Sequence, residues 1–260
     1  MRPQSPPAAR GTVHLVGAGP GDPGLMTLRG ARLLETCTLV AVDRLVASEL
    51  VDLAPTDAIR FEVGKGAGTG WSQHDIDDLI VDAARDGHAV VRLKGGDPFV
   101  LGRGGEEVVA CVAAGVPFEV VPGITSAVAA PAAAGIPVTH RGLAPAFAVV
   151  TGHEDPTKPG HQVDWAALAA FPGTLVVLMG VGSLATTSAQ LIAHGRPAST
   201  PAAAVQWGAT TRQRVVEAAL GELADEVARA GLGSPATIVI GDVVAMRSVL
   251  AAEPMLVGAA

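Results

Sequence analysis

Tyrosine is absent from this chain, and aromatic residues make up only 3% of it. A hydrophobic core must therefore be assembled mainly from Ala, Val and Leu. At 49% hydrophobic against 17% charged residues the supply is ample, and global disorder is excluded. Cysteine is nearly absent too. Cys37 and Cys111 stand far apart, which fits neither a disulfide framework nor a CxxC metal site and predicts two buried, reduced thiols. Runs of Lys and Arg are missing, and a net charge of −7 argues against nucleic acid as the main partner. The longest apolar stretches, such as Thr174–Met179 and Ala236–Ile240, are strand-sized and far too short to span a bilayer. The opening MRPQSPPAAR lacks the apolar segment of a signal peptide and reads as a disordered leader over residues 1–10. These absences predict a soluble, cytoplasmic protein with room in 260 residues for one large domain or two modest ones.

Several catalytic signatures are missing as well. There is no Gly-x-Ser-x-Gly elbow. The seven histidines are scattered, and His153-Glu154 lacks the second histidine of a zinc helix, so no metal is expected. Gly64-Lys65-Gly66 fails as a P-loop, because the leading glycine would have to stand at Ile59 and Gly66 replaces the magnesium-binding hydroxyl. The loop from Gly17 to Gly24 lies between a strand and a helix. It nevertheless places Asp22 where the dinucleotide fingerprint needs glycine, and that carboxylate would repel a pyrophosphate. Nucleotide hydrolysis and nicotinamide or flavin chemistry are both disfavoured.

What is present is glycine, concentrated where strands end. The segment VRLKGGDPFVLGRGGEE, Val91–Glu107, reads as a buried strand, a glycine-laden loop, then a helix opening near Gly105. Gly95, Gly96, Gly102, Gly104 and Gly105 would let backbone amides approach a small ligand closely. Asp97 sits just past the strand end, where open α/β sheets bind their ligands.

Short apolar runs alternate with helical patterns through most of the chain, which predicts a parallel sheet with helices on both faces. Strands are expected at Val13–Val16, Thr38–Val42, Ile59–Val63, around Val90 and at Phe118–Val121. Ser72 reads as the N-cap of a helix carrying Ile76, Leu79, Ile80 and Ala83 on one face. After a loose stretch at 141–146 come strands at Phe147–Thr151, Thr174–Met179, Ala202–Val205, Arg214–Glu217 and Ala236–Ile240. Helices are expected at Leu184–Ala193 and Glu222–Ala230. The closer spacing of these later strands suggests some antiparallel pairing. The fold class is α/β, with an N-terminal domain over 11–144, a C-terminal domain over 145–260 and a ligand in the cleft between them. Loops following strands bring Asp43, Lys65 and Asp97 to one rim. Asp43 has simpler roles open to it, pairing with Arg44 or capping a helix, and Lys65 is equally readable as a solvated loop residue.

Taken together, the segments LVGAGPGDPGLMTLRGARLL, VDRLV, VGKGAG, VVRLKGGDPFVLGRGGEE, FEVVPGITSAVAAPAAAGIPVTHRG, VTGHE, LVVLMG and ATIVIGDVV resemble the S-adenosylmethionine-dependent tetrapyrrole methyltransferases. The similarity is greatest to the uroporphyrinogen-III C-methyltransferases. It extends over nearly the whole chain after the leader, in the family's order. It implies a homodimer of two-domain α/β subunits that moves two methyl groups from S-adenosylmethionine to C2 and C7 of uroporphyrinogen III. The product, by way of precorrin-1, is precorrin-2, the branch point towards cobalamin and sirohaem, and S-adenosylhomocysteine is released.

By motif, the resemblance implies a cofactor site of Pro20, Gly95, Gly96, Asp97, Val100, Thr125, Ser126, Met179, Gly208 and Ala236, with Asp97 on the ribose hydroxyls. It implies Asp43 and Lys65 as the acid–base pair. Arg29, Arg44, Lys65, Lys94, Arg103 and Arg141 are candidates for receiving the substrate's eight carboxylates. One departure stands out, Val42 in place of the family's usual tyrosine before the Asp-Arg pair. Two alternatives are a methyltransferase for a later precorrin and a non-catalytic ligand-binding protein. The latter would be expected to have lost Asp43, Lys65 or Asp97. From the short leader, the oxidase–chelatase domain that some family members carry is not expected here.

Overall fold

The structure, a computed structural model, describes residues 6–64, 70–153 and 163–250. It forms two compact units, Met1–Thr125 and Ser126–Ala260. The first runs β1 (Thr12–Gly17), α1 (Leu28–Leu34), β2 (Leu39–Val42), α2 (Ser48–Val51), β3 (Ile59–Glu62), α3 (Gln73–Arg85), β4 (Ala89–Lys94), α4 (Gly104–Ala114) and β5 (Phe118–Val121). Its five strands are all parallel, in the order β3-β2-β4-β1-β5.

Local chemistry starts the helices where the chain needs them. The Thr27 side chain accepts from the Gly30 amide and opens α1. Ser72 and Asp75 form a reciprocal capping box at α3, with bonds of 3.1 and 2.7 Å. Successive strand residues point to opposite faces. Val13, Leu15 and Val90 therefore meet Ile76, Ile80 and Cys111 from α3 and α4. Val16, Val40, Val91 and Leu93 meet Leu33, Leu34 and Leu50 from α1 and α2 on the other side. Helices on both faces bury β4 along its whole length.

Part of the leader expected to be disordered lies against this unit. The Ala8 amide donates to Thr36 Oγ1 (2.9 Å), the Ala9 amide donates to His14 Nε2 (3.1 Å), and Pro6 O accepts from Arg29. Buried His14 turns its other ring nitrogen to Glu119, 2.8 Å away. Backbone donors and acceptors of the leader thus find fixed partners that its polar, proline-rich composition does not announce. Residues 1–5 lie outside the described residues.

The second unit runs α5 (Ser126–Ala133), β6 (Phe147–Thr151), α6 (Trp165–Ala169), β7 (Thr174–Leu178), α7 (Leu184–Ala193), β8 (Pro201–Gln206), β9 (Arg214–Ala219), α8 (Leu223–Arg229), β10 (Ala236–Ile240) and α9 (Met246–Leu250). Its strand order is β6-β7-β10-β8-β9. β6 and β7 are parallel and every other pair is antiparallel. The division at Ser126 groups α5 with this unit, whereas the expected boundary at 145 lies next to the first strand of its sheet. Leu175, Val177, Leu191, Leu220, Leu223, Ile238 and Ile240 form the core of one face.

Candidate active site

In the first sheet, β2 leads outward to β3 on one side while β4 leads across β1 to β5 on the other. The opening between the ends of β2 and β4 is where sheets of this kind take ligands. Beside it the strand-end loops are tied together by backbone. The Gly96 amide donates to Gly19 O (2.7 Å) and the Gly19 amide returns a bond to Gly96 O (3.2 Å). A Cβ on Gly17 would lie 2.5 Å from Gly123 N and 2.6 Å from Gly96 O, so no larger residue fits where these three loops meet.

Asp97 staples the same loops. Its Oδ1 accepts from the Phe99 amide (2.8 Å) and its Oδ2 accepts from the Gly123 amide (3.0 Å). An ionised carboxylate is acceptor-only with two lone pairs on each oxygen, so both oxygens keep capacity for hydroxyl donors. Pro20 follows Gly19, Gly95 precedes Gly96, and the Val100 amide donates to Asp97 O (3.4 Å). Thr125 stands two residues beyond Gly123. Pro20, Gly95, Gly96, Asp97, Val100 and Thr125 thus belong to one cluster of strand-end loops.

Asp43, at the end of β2, neither pairs with Arg44 nor caps a helix. Its Oδ1 is bonded by Arg92 Nη2 from the neighbouring strand. Arg92 is 2% exposed and its guanidinium is held on every side. Nε donates to Glu107 Oε1 (2.9 Å), and Nη1 donates to Ala41 O (3.2 Å) and Leu93 O (3.3 Å). Lys94 Nζ donates to the same Glu107 oxygen at 2.9 Å. Alternation along β4 puts Arg92 and Lys94 on one face, towards α4, where Glu107 lies in the first turn. Burial, and next the Arg92 charge, hold the Lys94 ammonium below its ordinary range, with Glu107 and Asp43 opposing. Two cations and two carboxylates thus form a neutral buried group that only Asp43 carries towards solvent, its side chain 30% exposed.

Among the candidate substrate cations, Lys94 is committed to Glu107 inside the fold. Arg29 makes two bonds to Glu119 on the β5 side of the sheet. Arg103 pairs with Glu106 on the exposed first turn of α4. Arg44 and Arg141 are exposed and carry no ion pair among the described residues. Lys65 lies outside the described residues.

In the second unit, Met179 follows β7, half exposed and with φ +57. A methionine in the left-handed region is uncommon and marks a constrained strand exit. β10 pairs with β7 from Thr237↔Leu178 and with β8 from Ala236↔Gln206. Met179, Ala236 and the turn after Gln206 therefore share one end of this sheet. In that turn a Cβ on Gly208 would meet Ala130 Cβ at 2.4 Å, which gives the glycine a packing reason of its own. Ser126 opens α5. A shallow hollow beside Pro201, Glu217 and Val244 contains none of these residues.

Arg92 and Glu107 are the parts of the site missed by reasoning from loops. The signal was there, two cations spaced by two in an otherwise apolar buried run, with a carboxylate one helical turn into the next element.

The residues 12–224 match the model of the family described as Tetrapyrrole (Corrin/Porphyrin) Methylases. The S-adenosyl-L-methionine-dependent uroporphyrinogen III methyltransferase of Methanosarcina barkeri is 46% identical over 241 residues, 92% of this chain and 94% of that protein. The siroheme synthase of Stutzerimonas stutzeri is 49% identical over 247 residues, and this chain spans 52% of its length. Among solved structures, uroporphyrin-III C-methyltransferase from Thermus thermophilus complexed with S-adenosyl homocysteine superposes with a TM-score of 0.77 at 43% identity. The match covers 90% of this chain and 99% of that one.

Proposed function

The chain belongs to the tetrapyrrole (corrin/porphyrin) methylases, and from that premise we propose that it methylates uroporphyrinogen III at C2 and C7, giving precorrin-2 by way of precorrin-1. The observation that carries this reading is agreement with a uroporphyrinogen III methyltransferase at 46% identity over 92% of this chain and 94% of that relative. S-adenosylmethionine, when bound, supplies an electrophilic sulfonium methyl group and leaves as S-adenosylhomocysteine. The residues present suit it. Asp97 offers stapled carboxylate oxygens with spare lone pairs to the ribose hydroxyls. A Cβ on Gly95 would meet only Leu45 Cβ, at 3.8 Å, so this backbone is approachable. Pro20, Gly96, Val100 and Thr125 are the further cofactor contacts proposed within the first unit. Ser126, Met179, Gly208 and Ala236 are those proposed within the second, with Met179 giving an apolar surface to the adenine or the methionine chain.

Asp43 is read as the proton acceptor. Attack of an electron-rich pyrrole carbon on the methyl group leaves a proton to be lost from the macrocycle, and a carboxylate at the β2–β4 opening accepts it. Lys65 then donates a proton or holds a substrate carboxylate. Alignment of carbon, methyl and sulfur supplies much of the remaining rate. Arg44 and Arg141, exposed and without an ion pair among the described residues, are read as meeting the substrate's acidic side chains.

The same reading makes the protein a cytoplasmic homodimer. None of the described helices is long and apolar enough to cross a membrane. The outer face of α4 carries Val109 and Val112, 67% and 63% exposed, an apolar surface of the kind a second copy covers. Light scattering at the monomer mass would overturn that part alone.

The test of the activity is an anaerobic incubation with S-adenosylmethionine and uroporphyrinogen III, with product masses read after oxidation. A product heavier by two methyl groups is expected. Unchanged substrate, with S-adenosylmethionine still bound by the protein, would move the assignment to a later precorrin.

A further inference from the structure

Central strands of parallel sheets are normally near-continuous apolar runs, because both faces are covered. β4 breaks that rule at Arg92 and Lys94, each 2% exposed, and burying charge is costly even when it is paired. The arrangement is asymmetric in a way that charge neutralisation alone does not require. Glu107 is fully buried and accepts from both cations through a single oxygen. Arg92 has a further pair of bonds to the carbonyls of Ala41 and Leu93. Its guanidinium plane is therefore set by Nε and Nη1 before Asp43 is considered, and Nη2 presents a fixed donor to one Asp43 oxygen. Among the described residues Asp43 Oδ2 carries no hydrogen bond, so a single oxygen is tethered, and the side chain is 30% exposed.

We infer that Arg92, anchored by Glu107, is a positioning residue that fixes the Asp43 carboxylate for proton transfer. Arg92 meets no substrate itself. Its planar fork reaches the Asp43 carboxylate, the Glu107 carboxylate and two backbone carbonyls at once, which a lysine's single ammonium on a flexible stem cannot do. Displacing a reacting group by an ångström is enough to cost about 10²-fold in rate. The inference rests on reading Asp43 as the proton acceptor, and the experiment separates the two.

Arg92→Lys and Asp43→Asn are made singly and together in the full chain. Methyl transfer is followed by product mass, and S-adenosylhomocysteine binding is measured by calorimetry. Arg92→Lys is expected to lower kcat by about 10²-fold, with KM for both substrates and S-adenosylhomocysteine affinity unchanged. Asp43→Asn is expected to lower kcat by about 10²–10⁴-fold. In the Asp43→Asn background, Arg92→Lys should then cost no further rate, because a group acting through Asp43 has nothing left to position. Equal losses in both backgrounds would overturn the positioning role and leave Asp43 standing, as would full turnover by Arg92→Lys alone. Full turnover by Asp43→Asn would remove the base assignment and this inference with it. If Arg92→Lys does not fold, Glu107→Gln takes its place. It keeps the shape, weakens the anchor, and is held to the same kcat, KM and double-variant criteria.

Discussion

β4 and β10 hold the same place in their two sheets, third of five strands and buried, yet they are built from opposite materials. β10 reads ATIVI, and Ile238, Val239 and Ile240 are fully enclosed by apolar neighbours. β4 reads AVVRLK and carries two cations into an equally dry interior. A buried ion-pair group is often no more stabilising than well-packed hydrophobic residues of similar volume. The second sheet demonstrates within the same chain that an apolar central strand serves the architecture. The difference lies at the strand ends, since β4 leads into the Gly95–Asp97 loop and its Arg92 reaches Asp43. Charge is retained inside the first sheet where a carboxylate must be held still, and is dispensed with where only a core is needed.

The largest effect should come from unbalancing β4. Glu107→Leu leaves Arg92 and Lys94 buried with only Asp43 opposite, and should cost about 3–5 kcal/mol of stability in denaturant unfolding, with turnover lost as well. Loss within experimental error would show that the group carries no unpaired charge when Glu107 is gone, and the contrast with β10 would collapse. The matching change in β10, Ile240→Ala, should cost about 2–5 kcal/mol through its cavity, while turnover per folded molecule stays unchanged. A fall in kcat there would mean that the second sheet is not the passive partner in this comparison.

The smallest effect belongs to the surface ion pair of β5. The hydrogen bond from Arg29, opposed by burial and reinforced by His14, holds the Glu119 carboxyl below its ordinary 4.5. A carboxylate held below its unfolded value stabilises the fold above that value, and the contribution vanishes as the pH falls through the folded one. Glu119→Gln should therefore lower stability slightly at pH 7, where the contribution is fully present, and flatten the acid limb below about pH 4.5, where the variant and the parent converge. An unaltered acid limb in denaturant melts would assign it to other carboxylates. Solvent screens this pair, its side chains 25% and 34% exposed, so it offers a mild counterpart to the buried group on β4.

Much of this was legible before any coordinate. Ser72 as N-cap, the apolar spacing of Ile76 and Ile80, and the runs at Phe118–Val121, Phe147–Thr151 and Ala236–Ile240 all encode their elements locally, through capping and periodicity. α5 was missed because SAVAAPAA offers no polar face and carries Pro131, so neither period nor cap announces it. The ordering of Pro6, Ala8 and Ala9 was missed because their partners, Arg29, Thr36 and His14, come from elsewhere in the chain. Asp97 was recognisable as a carboxylate just past a strand end, whereas its bond to the Gly123 amide joins loops 26 residues apart. Asp43 was placed at the right rim with the wrong neighbour, because its partner comes from a strand 49 residues away.

The sequence by itself determined the family, the glycine-rich strand-end loops and the identity of the acidic residues there, since these are written in contiguous motifs whose chemistry is local. Only the tertiary structure decided what those residues are tied to. Strand order β3-β2-β4-β1-β5 sets β2 beside β4 and α4 over them, and this alone joins Asp43, Arg92, Lys94 and Glu107 into one group. In a low-dielectric interior such a partnership dominates a side chain's behaviour, and spacing along the chain carries no record of it.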